Sequence, residues 1–211
     1  MDDDDIFART THNRMLIADL LESLSAEQWD APTLCAGWSV RRLAGHLLQP
    51  MLVGFGRFFL TAVRHRGNTE ATVDQLARML ADRPPAESVS LLRQHAHDRV
   101  RPPRVGPMGP FAETCVHLRD IARPLGLEAD VPRADWVTLL DYLTTREVAP
   151  ALVAPRRLEG IALTATDAAR RWGSGLEVWG PAEGLAMVVT GRTSVASDLN
   201  GPGLPRLLAM S

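Results

Sequence analysis

The stretch that decides the fold runs over residues 37–47 and reads GWSVRRLAGHL. Ser39 can cap a helix that starts at the next residue, and the apolar side chains that follow recur at helical spacing. The stretch therefore predicts a helix that carries His46 beside its buried face. Residues 113–117 read ETCVH, so Glu113 and His117 lie four positions apart and share one face of a second predicted helix.

These three side chains form a ligand set that suits zinc. Glu113 and His117 can converge on one ion from adjacent turns, and His46 would be the third ligand. Three protein ligands leave the fourth tetrahedral position for water or a thiolate, which is the catalytic arrangement, whereas a structural zinc is normally closed by four ligands. The pattern predicts an open metal site, and such ligands also accept nickel, iron or manganese.

Spacing alone leaves more ordinary explanations open. A single histidine on an apolar helix is more often a core residue, and an acid four positions before a histidine can arise by chance. Cys115 lies two positions from both Glu113 and His117, so it points to another side of the helix. Asp120 could orient His117 as a hydrogen-bond acceptor, or it could pair with Arg123 at the helix end.

Two longer segments carry a family resemblance. Residues 25–47, SAEQWDAPTLCAGWSVRRLAGHL, are similar to the opening of the mycothiol-dependent maleylpyruvate isomerase family, a branch of the DinB-like metal-binding helix bundles. Residues 113–126, ETCVHLRDIARPLG, resemble the family's acid-x-x-x-His-x-x-Asp segment. The resemblance implies that His46, Glu113 and His117 bind zinc. The chain departs from the usual family residues at Arg42, Gly45 and Ala122, none of which is a proposed ligand.

The resemblance extends over most of the chain and implies a mainly α fold. We expect a DinB-like four-helix bundle over residues 1–150 and a small α/β C-terminal extension over residues 151–211, packed on the bundle. Helical periodicity over residues 6–24, 39–48, 68–80, 86–100, 113–123 and 133–147 agrees with this expectation. Pro110 is well placed as the first residue of the Glu113 helix. Glycine-bounded apolar runs at 160–165 and 175–180 predict short strands, and 181–189 a further helix.

Composition narrows the function classes. The net charge of −2, from 23 basic and 25 acidic side chains, offers no basic field for a nucleic-acid backbone. No apolar run reaches the roughly 18 to 20 residues that span a bilayer, and the opening MDDDD is unlike a signal peptide. Two cysteines, Cys35 and Cys115, are too few for a secreted disulfide framework. We therefore expect a cytoplasmic protein with no nucleic-acid or membrane partner.

The resemblance further implies a reaction. A low-molecular-weight thiol, mycothiol or a similar one, would be activated as its thiolate by zinc and would add to a small electrophilic substrate, with isomerisation or S-transfer as the outcome. Neither protein cysteine is expected to take part. Two alternatives stay open: a zinc hydrolase that uses a metal-bound water, with Asp120 as the nearest general base, and a non-catalytic metal-binding or small-ligand-binding bundle. A homodimer also stays open.

Overall fold

The structure, a computed structural model, describes residues 2–103 and 105–209. The chain forms two compact units. One is built from the residues up to 102 together with 109–130, and the other from the residues after 130 together with 103–108. The predicted division at residue 150, between a bundle and a small C-terminal extension, stays a prediction.

The first unit is a helix bundle. Its helices are α1 (Asp3–Ser23), α2 (Ala26–Trp29), α3 (Val40–Leu52), α4 (Phe55–Arg64), α5 (Thr69–Ala81), α6 (Pro85–Gln94) and α7 (Met108–Ala122). α1 packs against α6, and α3 packs against both α5 and α6. In α7, 11 of the 15 residues are buried, which is typical of a helix at the centre of a bundle.

Local sequence explains where the main helices begin. Asp2 caps α1 by accepting a hydrogen bond from the Asp4 N–H, and the acidic run that follows lies where a helix dipole favours negative charge. Ser39 caps α3 as predicted, since its side chain accepts from the Arg42 N–H. α3 continues through Pro50, which has no N–H to donate to the carbonyl of His46 one turn earlier.

Three predicted helix bounds are wrong. The helix expected over 133–147 ends at Leu143. The helix expected over 86–100 is α6, which ends at Gln94, because the chain turns there and Arg14 of α1 donates to the carbonyl oxygens of Ala96 and Asp98. Pro110 is not the first residue of α7, which already begins at Met108. Proline is still tolerated at this position, because the N–H groups of a first helical turn have no partner within the helix.

α3 and α5 approach each other tightly at Gly45. A Cβ atom added there would lie 2.4 Å from the carbonyl oxygen of Ala77 and 2.8 Å from the backbone nitrogen of Ala81. Only glycine leaves room for two helix backbones at this separation. His46 follows directly in sequence, so the contact between α3 and α5 also determines where that histidine lies.

α4 presents its apolar side chains to solvent. Thr61 is buried, whereas Phe55 is 81% exposed and Leu60 is 62% exposed. α4 packs on α5, and His65 at its end bonds Gln75 of α5 through Nε2, at 2.5 Å. This exposed face therefore contributes little to the core of the first unit.

The second unit combines helices with a small sheet. It contains α8 (Arg133–Leu143), β1 (Ile161–Ala165), β2 (Arg170–Gly173), β3 (Leu176–Gly180), α9 (Ala182–Val189), a 3-10 helix (Thr193–Asp198) and α10 (Leu204–Ala209). β1 is the central strand, antiparallel to β2 and parallel to β3. α9 packs on α8, β1 and β3, and Asp141 of α8 accepts hydrogen bonds from Trp172 and Arg170 of β2.

The predicted fold class, mainly α with a small strand-containing C-terminal part, is confirmed. The predicted strands are β1 and β3, and α9 lies where a helix was expected. β2 was not predicted. Within the described residues, no helix is both long enough and apolar enough to cross a membrane.

Candidate metal centre

The three predicted ligands lie close together in the first unit. His46, from α3, places Nε2 3.8 Å from Oε1 of Glu113 on α7. The His117 ring, one turn after Glu113, meets the His46 ring edge to face, with the ring centroids 5.1 Å apart and the planes at 87°. The fold thus brings a histidine of one helix to the carboxylate and histidine of another. Their role as metal ligands stays a prediction.

Asp120 is the hydrogen-bond partner of His117. Oδ2 of Asp120 lies 2.9 Å from Nδ1 of His117, and the Asp120 side chain has no exposed surface. The contact with His117, one of the two left open for Asp120 in the sequence, is present in the structure. Because Nδ1 is engaged by the carboxylate, Nε2 is the nitrogen of His117 that is left for a ligand role.

Cys35 belongs to the same cluster, which the sequence did not predict. Its Sγ lies 3.1 Å from Oδ2 of Asp120 and 3.8 Å from Nδ1 of His117. Among the described residues, Cys35, His117 and Asp120 form the group in which one potential ligand atom from each residue lies within 4.8 Å of the other two. This group shares only His117 with the predicted ligands. His117 contacts Asp120 and Cys35 through Nδ1, and its ring also meets the His46 ring.

The surroundings of His117 hold a proton on its ring when no metal is present. Burial opposes the charged form, but the hydrogen bonds with Asp120 and Cys35 and the negative charge of Asp120 outweigh burial and raise the pKa of His117 to about 10. An ion that binds Nε2 must therefore displace a proton from this imidazole.

Trp38 and Arg42 cover His46. The Trp38 ring contacts the His46 ring edge to face at a centroid distance of 5.4 Å, and the Arg42 guanidinium lies over the Trp38 ring at 4.9 Å. Arg42 also forms an ion pair with Asp74 of α5. The Arg42 side chain is only 18% exposed and belongs to the packing around His46.

Glu113 is partly exposed and has a buried cation, Arg14, nearby. Burial lowers the pKa of Arg14, and the negative charges of Asp98 and Glu113 oppose that shift, which places the Arg14 charge within electrostatic reach of Glu113. A small cavity adjoins them, lined by Arg14, Glu113 and Thr114 together with apolar side chains. Glu113 therefore lies between a positive neighbour on one side and His46 on the other.

A family model described as the mycothiol maleylpyruvate isomerase N-terminal domain matches residues 12–122, which is more than half of the chain. The chain belongs to this family. Two crystal structures of a mycothiol-dependent maleylpyruvate isomerase, one of a histidine-to-alanine variant, have the same fold with a TM-score of 0.61 each. They are 13% and 14% identical to this chain, and each comparison covers 96% of this chain and 93% of the other. No curated protein sequence matches significantly.

The mycothiol maleylpyruvate isomerase N-terminal domain, as matched here, includes every residue of the candidate centre: Cys35, Trp38, Arg42, His46, Glu113, His117 and Asp120. The predicted membership of this family is confirmed. The resemblance seen in the sequence rested on the segments around His46 and around Glu113, and both lie inside the matched range.

The donor set of this family member fits a divalent metal. Two imidazole nitrogens and one carboxylate oxygen are donors that zinc accepts, and the Nδ1 atom of one imidazole is already held by a carboxylate, as in many histidine ligands of zinc. Three other histidines have different surroundings: His65 contacts Gln75, His95 contacts Asp98, and His97 is exposed. Cys115 is buried beside Asn13 and away from the ligand face, as predicted.

Proposed function

We propose that this chain is a metal-dependent enzyme that activates a low-molecular-weight thiol for addition to a small electrophilic substrate. The observation that carries the proposal is the convergence of His46, Glu113 and His117, with 3.8 Å between Nε2 of His46 and Oε1 of Glu113. Membership of the mycothiol maleylpyruvate isomerase family supports mycothiol as the thiol. Zinc is the ion we expect.

His46 and His117 would hold the ion through Nε2 and Glu113 through a carboxylate oxygen. Bound there, the ion supplies positive charge that lowers the pKa of a coordinated thiol from about 8.5 toward neutrality. Glu113 contributes a single negative charge, so a divalent site keeps a net positive charge toward the open position. A set with two or more thiolate ligands would cancel that charge and would activate a thiol less strongly.

The other residues of the centre prepare these ligands. Asp120 accepts a hydrogen bond from the Nδ1–H of His117, which selects the tautomer whose Nε2 lone pair is available. Trp38 packs against the His46 ring and restricts its rotation. Both imidazoles are therefore oriented before any ligand arrives. The buried Asp120 carboxylate holds His117, and Trp38 packs against the partly covered His46 ring.

The contacts of Asp120 favour thiol activation over hydrolysis. A zinc hydrolase would need a general base beside its water, and Asp120 was the candidate in sequence. Its side chain is fully buried and its Oδ2 atom faces both His117 and Cys35, so it is poorly placed to accept a proton from water at the open position. Isomerisation and S-transfer both begin with the same thiol addition, and turnover products distinguish them.

The test combines metal analysis with a thiol titration. We expect about one zinc per chain in the purified protein, and a sulfur-to-metal absorption band when mycothiol is added to the cobalt-substituted protein. His46→Ala and His117→Ala should lose most of the metal, and Glu113→Gln should retain more of it but lose the thiol-induced band. His97→Ala, which changes an exposed histidine, is the matched control. Full zinc stoichiometry in both histidine variants would refute the ligand assignment.

A wild-type protein that binds metal but shows no thiol band would refute thiol activation while leaving the metal site intact. The experiment therefore separates the two parts of the proposal. Products formed from candidate electrophiles in the presence and absence of mycothiol then distinguish an enzyme from a bundle that only binds metal.

A further inference from the structure

Cys35 makes a contact that no part of the proposed reaction uses. We infer that Cys35 is a positioning residue of the metal centre: its thiol holds the Asp120 carboxylate in place, and Asp120 in turn orients His117. The inference rests on the proposed function, because it assigns Cys35 a task at the same site. The thiol acts through Asp120 and does not touch the reacting groups.

The geometry around Asp120 is the first argument. Oδ2 lies 2.9 Å from Nδ1 of His117 and 3.1 Å from Sγ of Cys35, so one carboxylate oxygen can accept from both donors. The Asp120 side chain has no exposed surface, so water does not reach it from bulk solvent. A buried carboxylate is stable only when its oxygens are hydrogen-bonded, and the Cys35 S–H is one of the groups within reach.

The loop that carries Cys35 is docked on the same residue. The backbone N–H of Leu34 donates to the backbone carbonyl of Asp120 at 3.1 Å. Asp120 is therefore contacted twice by neighbouring residues of this loop, once at its backbone and once at its side chain. This pairing fixes the distance between Cys35 and the carboxylate more firmly than a single side-chain contact would.

The loop is also held internally. Thr33 Oγ1 donates to the Trp38 carbonyl at 2.9 Å and accepts from the Cys35 N–H at 3.2 Å, and the Trp38 N–H donates to the Cys35 carbonyl at 2.9 Å. Gly37 has a φ of +74°, which L side chains rarely adopt, so the turn requires this glycine. The loop therefore supports His46 through Trp38 and His117 through Cys35.

A direct ligand role for Cys35 is the competing assignment. Sγ, His117 Nδ1 and an Asp120 oxygen lie within 4.8 Å of one another and could in principle surround an ion. An ion at that position would have to replace the contacts of Asp120 Oδ2 with both His117 and Cys35. The positioning role keeps those hydrogen bonds and leaves His117 Nε2 for the ion beside His46 and Glu113.

Two substitutions distinguish these roles. Cys35→Ser keeps a donor at this position but removes the sulfur, and Cys35→Ala removes the donor. Cys115→Ala deletes the other thiol of the chain, which lies beside Asn13, and is the matched control. Thermal unfolding of the metal-free variants shows whether each one is folded before metal affinity is compared by competition with a chelator.

We expect Cys35→Ser to keep zinc affinity within about threefold of wild type and Cys35→Ala to bind zinc about tenfold more weakly. Tenfold is the lower end of the loss in metal affinity that follows when a group supporting a histidine ligand is removed. In the metal-free protein, the NMR signal of the His117 Nδ1 proton should persist in Cys35→Ser and broaden in Cys35→Ala. Cobalt spectra recorded without added thiol should lack a sulfur band in wild type and in all three variants.

Wild-type affinity together with an unchanged Nδ1 proton signal in Cys35→Ala would overturn the inference. A sulfur band in cobalt-loaded wild type that disappears in Cys35→Ser would also overturn it, because Cys35 would then be a ligand. A wild-type protein without metal affinity would instead refute the proposed function, so the two failures are distinguishable. If Cys35→Ala does not fold, the cobalt spectrum and zinc affinity of Cys35→Ser decide the question.

Discussion

Gly45→Ala should destabilise the first unit and disturb the candidate centre at the same time. The added methyl carbon would lie 2.4 Å from the Ala77 carbonyl oxygen and 2.8 Å from the Ala81 nitrogen. Both neighbours are backbone atoms of α5, so no side-chain rotation relieves the contact. α3 and α5 would have to separate by about 1 Å to restore ordinary van der Waals distances, because interiors are close-packed.

The expected magnitude follows from two opposing terms. Overpacking against backbone costs about 3 kcal/mol, the upper part of the usual range. Alanine returns about 1 kcal/mol through its higher helix propensity. The net loss is therefore about 2 kcal/mol, which corresponds to a fall of roughly 4–8 °C in melting temperature for a protein of this size.

Gly56→Ala on α4 provides the control, because no atom lies within 4 Å of a Cβ at that position. There the propensity term acts alone, and stability should rise by about 0.5–1 kcal/mol. Denaturant unfolding followed by circular dichroism measures both variants. Since His46 follows Gly45 directly, Gly45→Ala should also weaken zinc binding in chelator competition. Equal stability of Gly45→Ala and wild type would contradict the packing argument.

Three further predictions concern the ligands and the core. Because the pKa of His117 is raised to about 10, the His117–Asp120 pair stabilises the metal-free protein fully below pH 6.5, and this contribution is lost as the pH rises through 10. Melting temperatures measured between pH 6 and 10.5 should therefore decline. A melting temperature that does not change over this range would contradict the prediction. Asp120→Asn should weaken zinc binding by about 10–100-fold and flatten this pH dependence of the melting temperature, which chelator competition and the same melts measure. Phe111→Ala should lower the free energy of unfolding by about 3–5 kcal/mol, because Phe111 is fully buried. Phe59→Ala, on the exposed face of α4, should change it by less than about 0.5 kcal/mol. Denaturant titrations measure both. Similar losses in both phenylalanine variants would mean that the α4 face is covered.

The helices were predictable because their signals are local. Ser39 is followed by apolar residues at helical spacing, and the backbone geometry of a helix places such residues on one side. β2 escaped prediction because Arg170–Gly173 reads RRWG, in which only Trp172 is buried. A strand of four residues with one inward side chain shows no alternation that a sequence pattern can detect.

The candidate centre was predictable in part. The spacing of Glu113 and His117 places them on adjacent turns of one helix, so their proximity follows from α7 alone. The proximity of His46 was implied by the family resemblance, since nothing in the spacing joins α3 to α7. Cys35 was missed because its contact with Asp120 spans 85 positions of the chain and involves a loop without regular structure.

The sequence by itself therefore determined the family, the mainly helical class and the pair of candidate ligands that one helix carries, because these depend on residue order over a few turns. Only the tertiary structure decided which neighbours His117 has on each side of its ring, how closely Gly45 lets α3 approach α5, and that the Cys35 loop docks on Asp120. Such contacts join segments that are distant in the chain, and they form only when the apolar faces of several helices pack together.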